Sequence, residues 1–262
     1  KTIKTLKKQN KLAYFYSMSK VKAWLIIFLN AVIICAIITC LYFMWTRSID
    51  YETYVGPLQQ RMFLYVNADA SVLLGLGCIM MIIAAIMYLA QNRPNLHYLR
   101  YAFVFKMVAT VWSAFVFLLI VLFLGPMVHY PLYLFECEQS VLNVVLPILA
   151  VFIFIFLEYK KTSKVVIVYS AIPAILYIAA MFVVVFTGVC QKAINEEAPY
   201  EIFYFKTNPI YISVLACVCV IGWTFAIWAG IYFANRAMFE KAYPRIASTR
   251  YQHRLQKMKN EG

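Results

Sequence analysis

One carboxylate in this chain sits where chemistry, or a strong structural reason, is needed to keep it. Asp69 lies inside the apolar run Met62 to Ala90, flanked by Asn67 and Ser71. The other acids lie outside the interiors of the apolar runs. Placing a carboxylate in hydrocarbon costs ~2.5–3.5 kcal/mol or more, so Asp69 marks a functional-site hypothesis. A helix over this run puts Asp69 about two turns, ~10 Å, below its outer end. Gln139, Ser140 and Asn143 fall at a similar level, as do Asn208, Tyr211, Ser213 and Thr39. The spacing predicts a polar pocket, opening to the outer leaflet or outer face, from Asn67, Asp69, Ser71, Gln139, Asn143, Asn208, Tyr211 and Ser213. The alternative is that Asp69 bonds Asn143 as a bridge between helices.

Other chemistry is sparse. Lys106 is the second charge within an apolar run, one to two turns from its end, and is expected to snorkel to the headgroups. His97, His129 and His253 lie in loops and tail, and no His, Cys and carboxylate spacing has the form of a metal site. No Gly-rich phosphate loop or HExxH motif occurs, so neither a cofactor nor a metal is expected. Five cysteines (Cys35, Cys40, Cys78, Cys217, Cys219) fall in apolar runs and read as small packing residues. Cys137 and Cys190 fall in outer loops, where a disulfide between them can form if the geometry allows.

The elements that must position these residues are read from composition. The 262 residues are 64% hydrophobic and 13% charged, against about half and a quarter in a soluble domain. Six apolar runs stand out: Ala23 to Trp45, Met62 to Ala90, Tyr101 to Leu124, Val141 to Leu157, Val165 to Thr187, and Ile210 to Ala234. Each is near or above the ~18–20 residues that cross a bilayer as helix. Continuous apolarity excludes the alternation of a β-barrel. The fold class expected is therefore all-α: a polytopic six-transmembrane-helix bundle, 23–234, between basic segments 1–22 and 235–262. The first run lacks a small-residue cleavage site and reads as a retained anchor.

Charge sets orientation. The segments before the first, third and fifth runs and after the sixth hold 19 Lys and Arg. The other three loops hold four, with seven acids. The positive-inside rule then places both termini in the cytoplasm and the protein in the plasma membrane. The net charge of +13 is explained by this topology before nucleic acid is invoked.

Packing signals follow. Gly222, Ala226, Gly230 and Ala234 recur at every fourth position, a stripe that lets another backbone approach. Packing inside the bundle is the favoured reading, with another subunit as the alternative. Pro147 and Pro173 interrupt runs and invite kinks. The aromatic stretch Pro199 to Phe205 suits the headgroup level or a cap on the bundle. The tail from Arg245 to Lys259 has the pattern of an amphipathic helix on anionic headgroups.

Several short stretches carry a resemblance. They are Tyr65-Val66-Asn67-Ala68-Asp69-Ala70-Ser71, Phe123-Leu124-Gly125-Pro126, Leu142-Asn143-Val144-Val145-Leu146-Pro147, Phe154-Ile155-Phe156-Leu157-Glu158, and Ile172-Pro173 with Tyr177. Their order resembles the androgen-induced intramembrane hydrolases of animals and their bacterial relatives. The resemblance implies six helices, and a Thr nucleophile and a His that cleave lipid esters. Asn67 and Asn143 stand at those two positions, and neither serves as nucleophile or base in the usual way. The function expected is thus non-catalytic: binding of a membrane lipid or partner subunit near Asn67, Asp69 and Asn143. A transporter component using Asp69, and a lipid hydrolase with altered residues, are the alternatives.

Overall fold

The computed structural model describes residues 19–46, 48–51, 54–57, 63–91, 96–124, 140–158, 166–194, 197–198 and 203–260. The chain runs α1 (Lys20–Thr46), a hairpin of β1 (Ser48–Tyr51) and β2 (Tyr54–Pro57), then α2 (Val66–Gln91) and α3 (Leu96–Leu119). A π-helical turn, Ile120–Leu124, continues α3. A second, Val141–Val145, leads into α4 (Leu146–Phe156). There follow α5 (Val166–Ser170), α6 (Ile172–Thr187), α7 (Val189–Ile194) and α8 (Ile210–Asn260).

Among the described residues, five helical stretches are long and apolar enough to cross a membrane: Lys20–Thr46, Val66–Ala90, Tyr98–Leu122, Val166–Thr187 and Ile210–Ala242. The fourth apolar run forms the shorter helix Val141–Phe156. At 1.5 Å per residue it is ~24 Å long, less than the ~30 Å hydrocarbon core. Large apolar side chains such as Phe28, Ile86, Phe152, Leu176 and Val218 point outward, as expected where lipid is the solvent.

The packing order shows how the helices alternate. Ala23 and Ile26 of α1 pack with Met81, Ala84 and Ala85 of α2 and with Leu99 and Ala102 of α3. Further along α1, Ile33, Ile37 and Met44 pack with Ala68 and Leu74 of α2, and with Leu142 and Leu146. From α1 to α4, successive helices are therefore antiparallel, and the bundle has a Lys20 end and a hairpin end. Gly77 lies where α2 approaches α3 closely. A Cβ there would lie 3.3 Å from both Ala109 Cβ and Lys106 Cα.

Both interior prolines fall at element boundaries, where a missing N–H is tolerated. Pro147 is in the first turn of α4, after the π-helical turn, and Pro173 opens α6 after a break at Ala171. The α6 C-terminus closes on Gly188 at φ 70°, whose N–H caps the carbonyls of Val184 and Val185.

The small-residue stripe does not pack inside the bundle as favoured from sequence. Gly222, Ala226 and Gly230 are exposed and Ala234 is half-buried. Nothing lies within 4 Å of a Cβ built on either glycine. The inward face of α8 is instead Val220, Trp228, Ile231, Tyr232 and Asn235. Asn235 Nδ2 donates to Phe154 O at 2.9 Å, fastening α8 to α4. Size at every fourth position marks a face of the helix, but not the direction it points.

Candidate functional site: a lateral cavity and a buried charge cluster

Polar chemistry collects in two places on opposite sides of α2. The first is a cavity of about 1260 Å³ walled by α2, α3, α5 and α6. Asp69, Leu73 and Met80 supply one wall, and Arg100, Phe103, Val104, Val108 and Trp112 a second. Tyr169, Pro173, Leu176, Tyr177 and Ala180 supply the third. From Arg100 to Trp112 the α3 wall runs ~18 Å, about one leaflet of a ~30 Å core. The rim is open: Tyr101 is 67% and Leu176 63% exposed.

Asp69 faces this cavity because it lies about 100° around α2 from Ala68, which packs toward α1 and α4. At the hairpin end the cavity is closed by a rigid aromatic corner. The Tyr177 ring lies 6.1 Å from Trp112 and 5.9 Å from Phe203. Its hydroxyl donates to Leu64 O at 3.0 Å. Phe203 is buried there, so this end of the aromatic stretch caps the bundle. Residues 199–202 lie outside the described residues.

Of the eight residues expected to form one pocket, Asp69 lines this cavity. Asn67 and Ser71 are buried and bonded locally. Asn67 Oδ1 accepts from the Ala68 N–H at 2.9 Å, and Ser71 Oγ donates to Asn67 O at 2.8 Å. Two positions on either side of Asp69 are 200° away around a helix, so both turn to the opposite face. Asn143 is buried within the π-helical turn before α4. Asn208 is half-buried, Tyr211 exposed and Ser213 buried. None of these six lines the cavity. Gln139 and Cys137 lie outside the described residues, and with Cys137 the expected disulfide. Cys190 is buried against Leu64, Tyr65, Val184 and Ala193. Among the described residues, no three His, Cys, Asp or Glu side chains gather as a metal site.

The second place was not read as a site from sequence. Lys106 does not snorkel; it is fully buried. Its helix begins at Leu96 rather than Tyr101, so it lies ten residues, ~15 Å, from the Lys20 end. That is beyond the reach of a lysyl chain. Its ammonium turns inward and donates to Asn30 Oδ1 at 2.8 Å and to Cys78 Sγ at 2.7 Å. Cys78 is therefore an acceptor as well as a packing residue. Asn30 Nδ2 in turn donates to Glu158 Oε1 at 2.8 Å and to Ile26 O at 2.8 Å.

Glu158 is 2% exposed, one residue beyond the fourth apolar run. Burial pushes its carboxyl above the ordinary range, against the pull of Lys106, the Asn30 hydrogen bond and Lys22. Oε2 is buried and accepts no hydrogen bond. A single asparagine of α1 thus bridges a buried ammonium of α3 to a buried carboxyl at the end of α4, and Cys78 brings in α2. Two sequence features could have drawn attention here: Asn30 is the one Asn inside the first apolar run, and Glu158 directly follows the fourth.

No family model, curated protein or solved structure matches the chain.

Proposed function

We propose that this is a six-span, non-catalytic plasma-membrane protein that holds a lipid-like amphiphile in the cavity beside Asp69. The short helix Val141–Phe156 serves as the fourth span, and both termini lie in the cytoplasm. The distribution of 19 Lys and Arg against four supports that orientation. It puts Arg100 at the inner headgroup level and Asp69 within the outer half.

The observation that carries the reading is the cavity itself. Its volume exceeds the ~300–1,000 Å³ of pockets for drug-sized ligands, and its walls are apolar and aromatic. Its α3 wall is about as long as an acyl chain, its rim is open, and Arg100 and Asp69 stand toward its opposite ends. Asp69 supplies an acceptor for a hydroxyl or amine, and Arg100 a fork for phosphate or carboxylate. Asn67 supports a non-catalytic role. At the position where the hydrolase resemblance implies a nucleophile, its oxygen is held by the helix backbone.

The test is photocrosslinking in membranes with a phosphatidylglycerol carrying a diazirine in its acyl chain. Adducts are expected on 104–112 and 172–180, reduced several-fold in Asp69→Asn or Arg100→Gln. Adducts spread evenly over outward faces, including Val214 and Val218 of α8, would overturn the reading. Transport is the second reading. It is favoured by the Lys106–Asn30–Glu158 cluster rather than by Asp69.

A further inference from the structure

The Glu158 cluster does not depend on the lipid cavity, and its geometry leaves one atom unexplained. Oε1 of Glu158 is held by Asn30, whereas Oε2 is buried with no hydrogen-bond donor. The groups facing it can be named helix by helix. Lys22 and Asn30 come from α1, Cys78 from α2, and Lys106 from α3. Tyr88 of α2 and Tyr98 of α3 flank the same end, packed with Leu157 around Ala23 and Leu99.

A buried carboxylate oxygen calls for a cation or a proton. A metal ion needs several oxygen ligands, and this cluster offers one free oxygen among amines, a thiol and an amide already engaged. A proton needs none. Lys22 is half-buried at the Lys20 end, eight residues from Asn30 along α1. Toward the hairpin end, Ile37, Leu74 and Leu146 close an apolar layer over the cluster.

We propose that Glu158, bridged through Asn30 to Lys106, is a proton-exchange site that opens to the Lys20 end beside Lys22. On loading, a proton from water at that end bonds to Oε2, and the carboxylate becomes a neutral acid. On release, that O–H bond breaks, the proton returns to water, and the negative charge is again compensated by the Lys106 ammonium. Asn30 holds its bonds to both partners in either state, so the exchange needs no rearrangement of the helices. This is the chemistry that proton-linked membrane proteins require of a buried acid.

Infrared difference spectroscopy of the full-length protein in lipid, titrated from pH 5 to 9, tests the proposal. A protonated-carboxyl band should appear as pH falls, be lost in Glu158→Gln, and persist in Asp69→Asn. Lys22→Gln changes a half-buried residue in the first turn of α1 and keeps most of its length and its polarity. It removes a cation that favours the carboxylate, so the midpoint should move to higher pH. A band unaffected by Glu158→Gln, no titrating carboxyl band at all, or an unmoved midpoint in Lys22→Gln would overturn it. A purely structural Glu158, fixed in one state, gives no pH-dependent band.

Discussion

The two faces of α2 solve the same problem in opposite ways. On the face toward α1 and α4, charge is closed in: Lys106, Asn30, Cys78 and Glu158 form a continuous hydrogen-bonded line. On the face toward α6, Asp69 is left beside an open cavity of about 1260 Å³. Burying a charge without a partner is prohibitive, so the first face supplies partners from within the chain. The second leaves a place for a partner from outside. The contrast separates a group bonded between helices from a carboxyl that lines open space, which the proposed function fills with a ligand.

The largest expected effect breaks the closed face. Lys106→Met leaves Glu158 and Asn30 without their cation and should cost ~3–5 kcal/mol in denaturant unfolding. Replacing both charged partners, as in Lys106→Met with Glu158→Leu, should recover most of that loss. If the single change costs less than ~1 kcal/mol, water reaches the cluster and this face is not closed.

Next is the approach that aligns the cluster. Gly77→Val inserts atoms where a Cβ alone already lies 3.3 Å from Lys106 Cα. It should destabilise by ~1–3 kcal/mol through overpacking. A midpoint unchanged from wild type would show that α2 and α3 have room to part.

On the open face the effects should be smaller. Tyr177→Phe removes the bond to Leu64 O at 3.0 Å, costing ~0.5–1.5 kcal/mol. Asp69→Asn should change stability by less than ~0.5 kcal/mol, because no fixed partner is lost. A loss as large as that of Lys106→Met would mean that Asp69 is a structural bridge and would erase the contrast.

The sequence and the structure part at instructive residues. The apolar runs and their order were legible because lipid demands length and apolarity whatever the packing. Asp69 was legible because a carboxylate breaks such a run. The Lys106 cluster was not. Glu158 sits one residue past a run and resembles an interfacial acid, while Asn30 carries no charge to draw notice. Their meeting depends on rotations of four helices, which residue spacing does not specify. The Gly222 to Ala234 stripe fails for the same reason, since periodicity gives a face but not its direction. Asn67 and Ser71 are near Asp69 in sequence, yet helix geometry turns them to the other side.

The central claim is that the cavity beside Asp69 is a lipid site, and native mass spectrometry of protein released from detergent tests it most directly. Val108 lines the cavity, so Val108→Trp fills that space. Val218 is exposed on α8, away from the cavity, so Val218→Trp is the matched control. Wild type and Val218→Trp should each retain a bound lipid, and Val108→Trp should lose it at least ~10-fold, about 1.4 kcal/mol. Equal lipid retention by all three proteins would contradict the account.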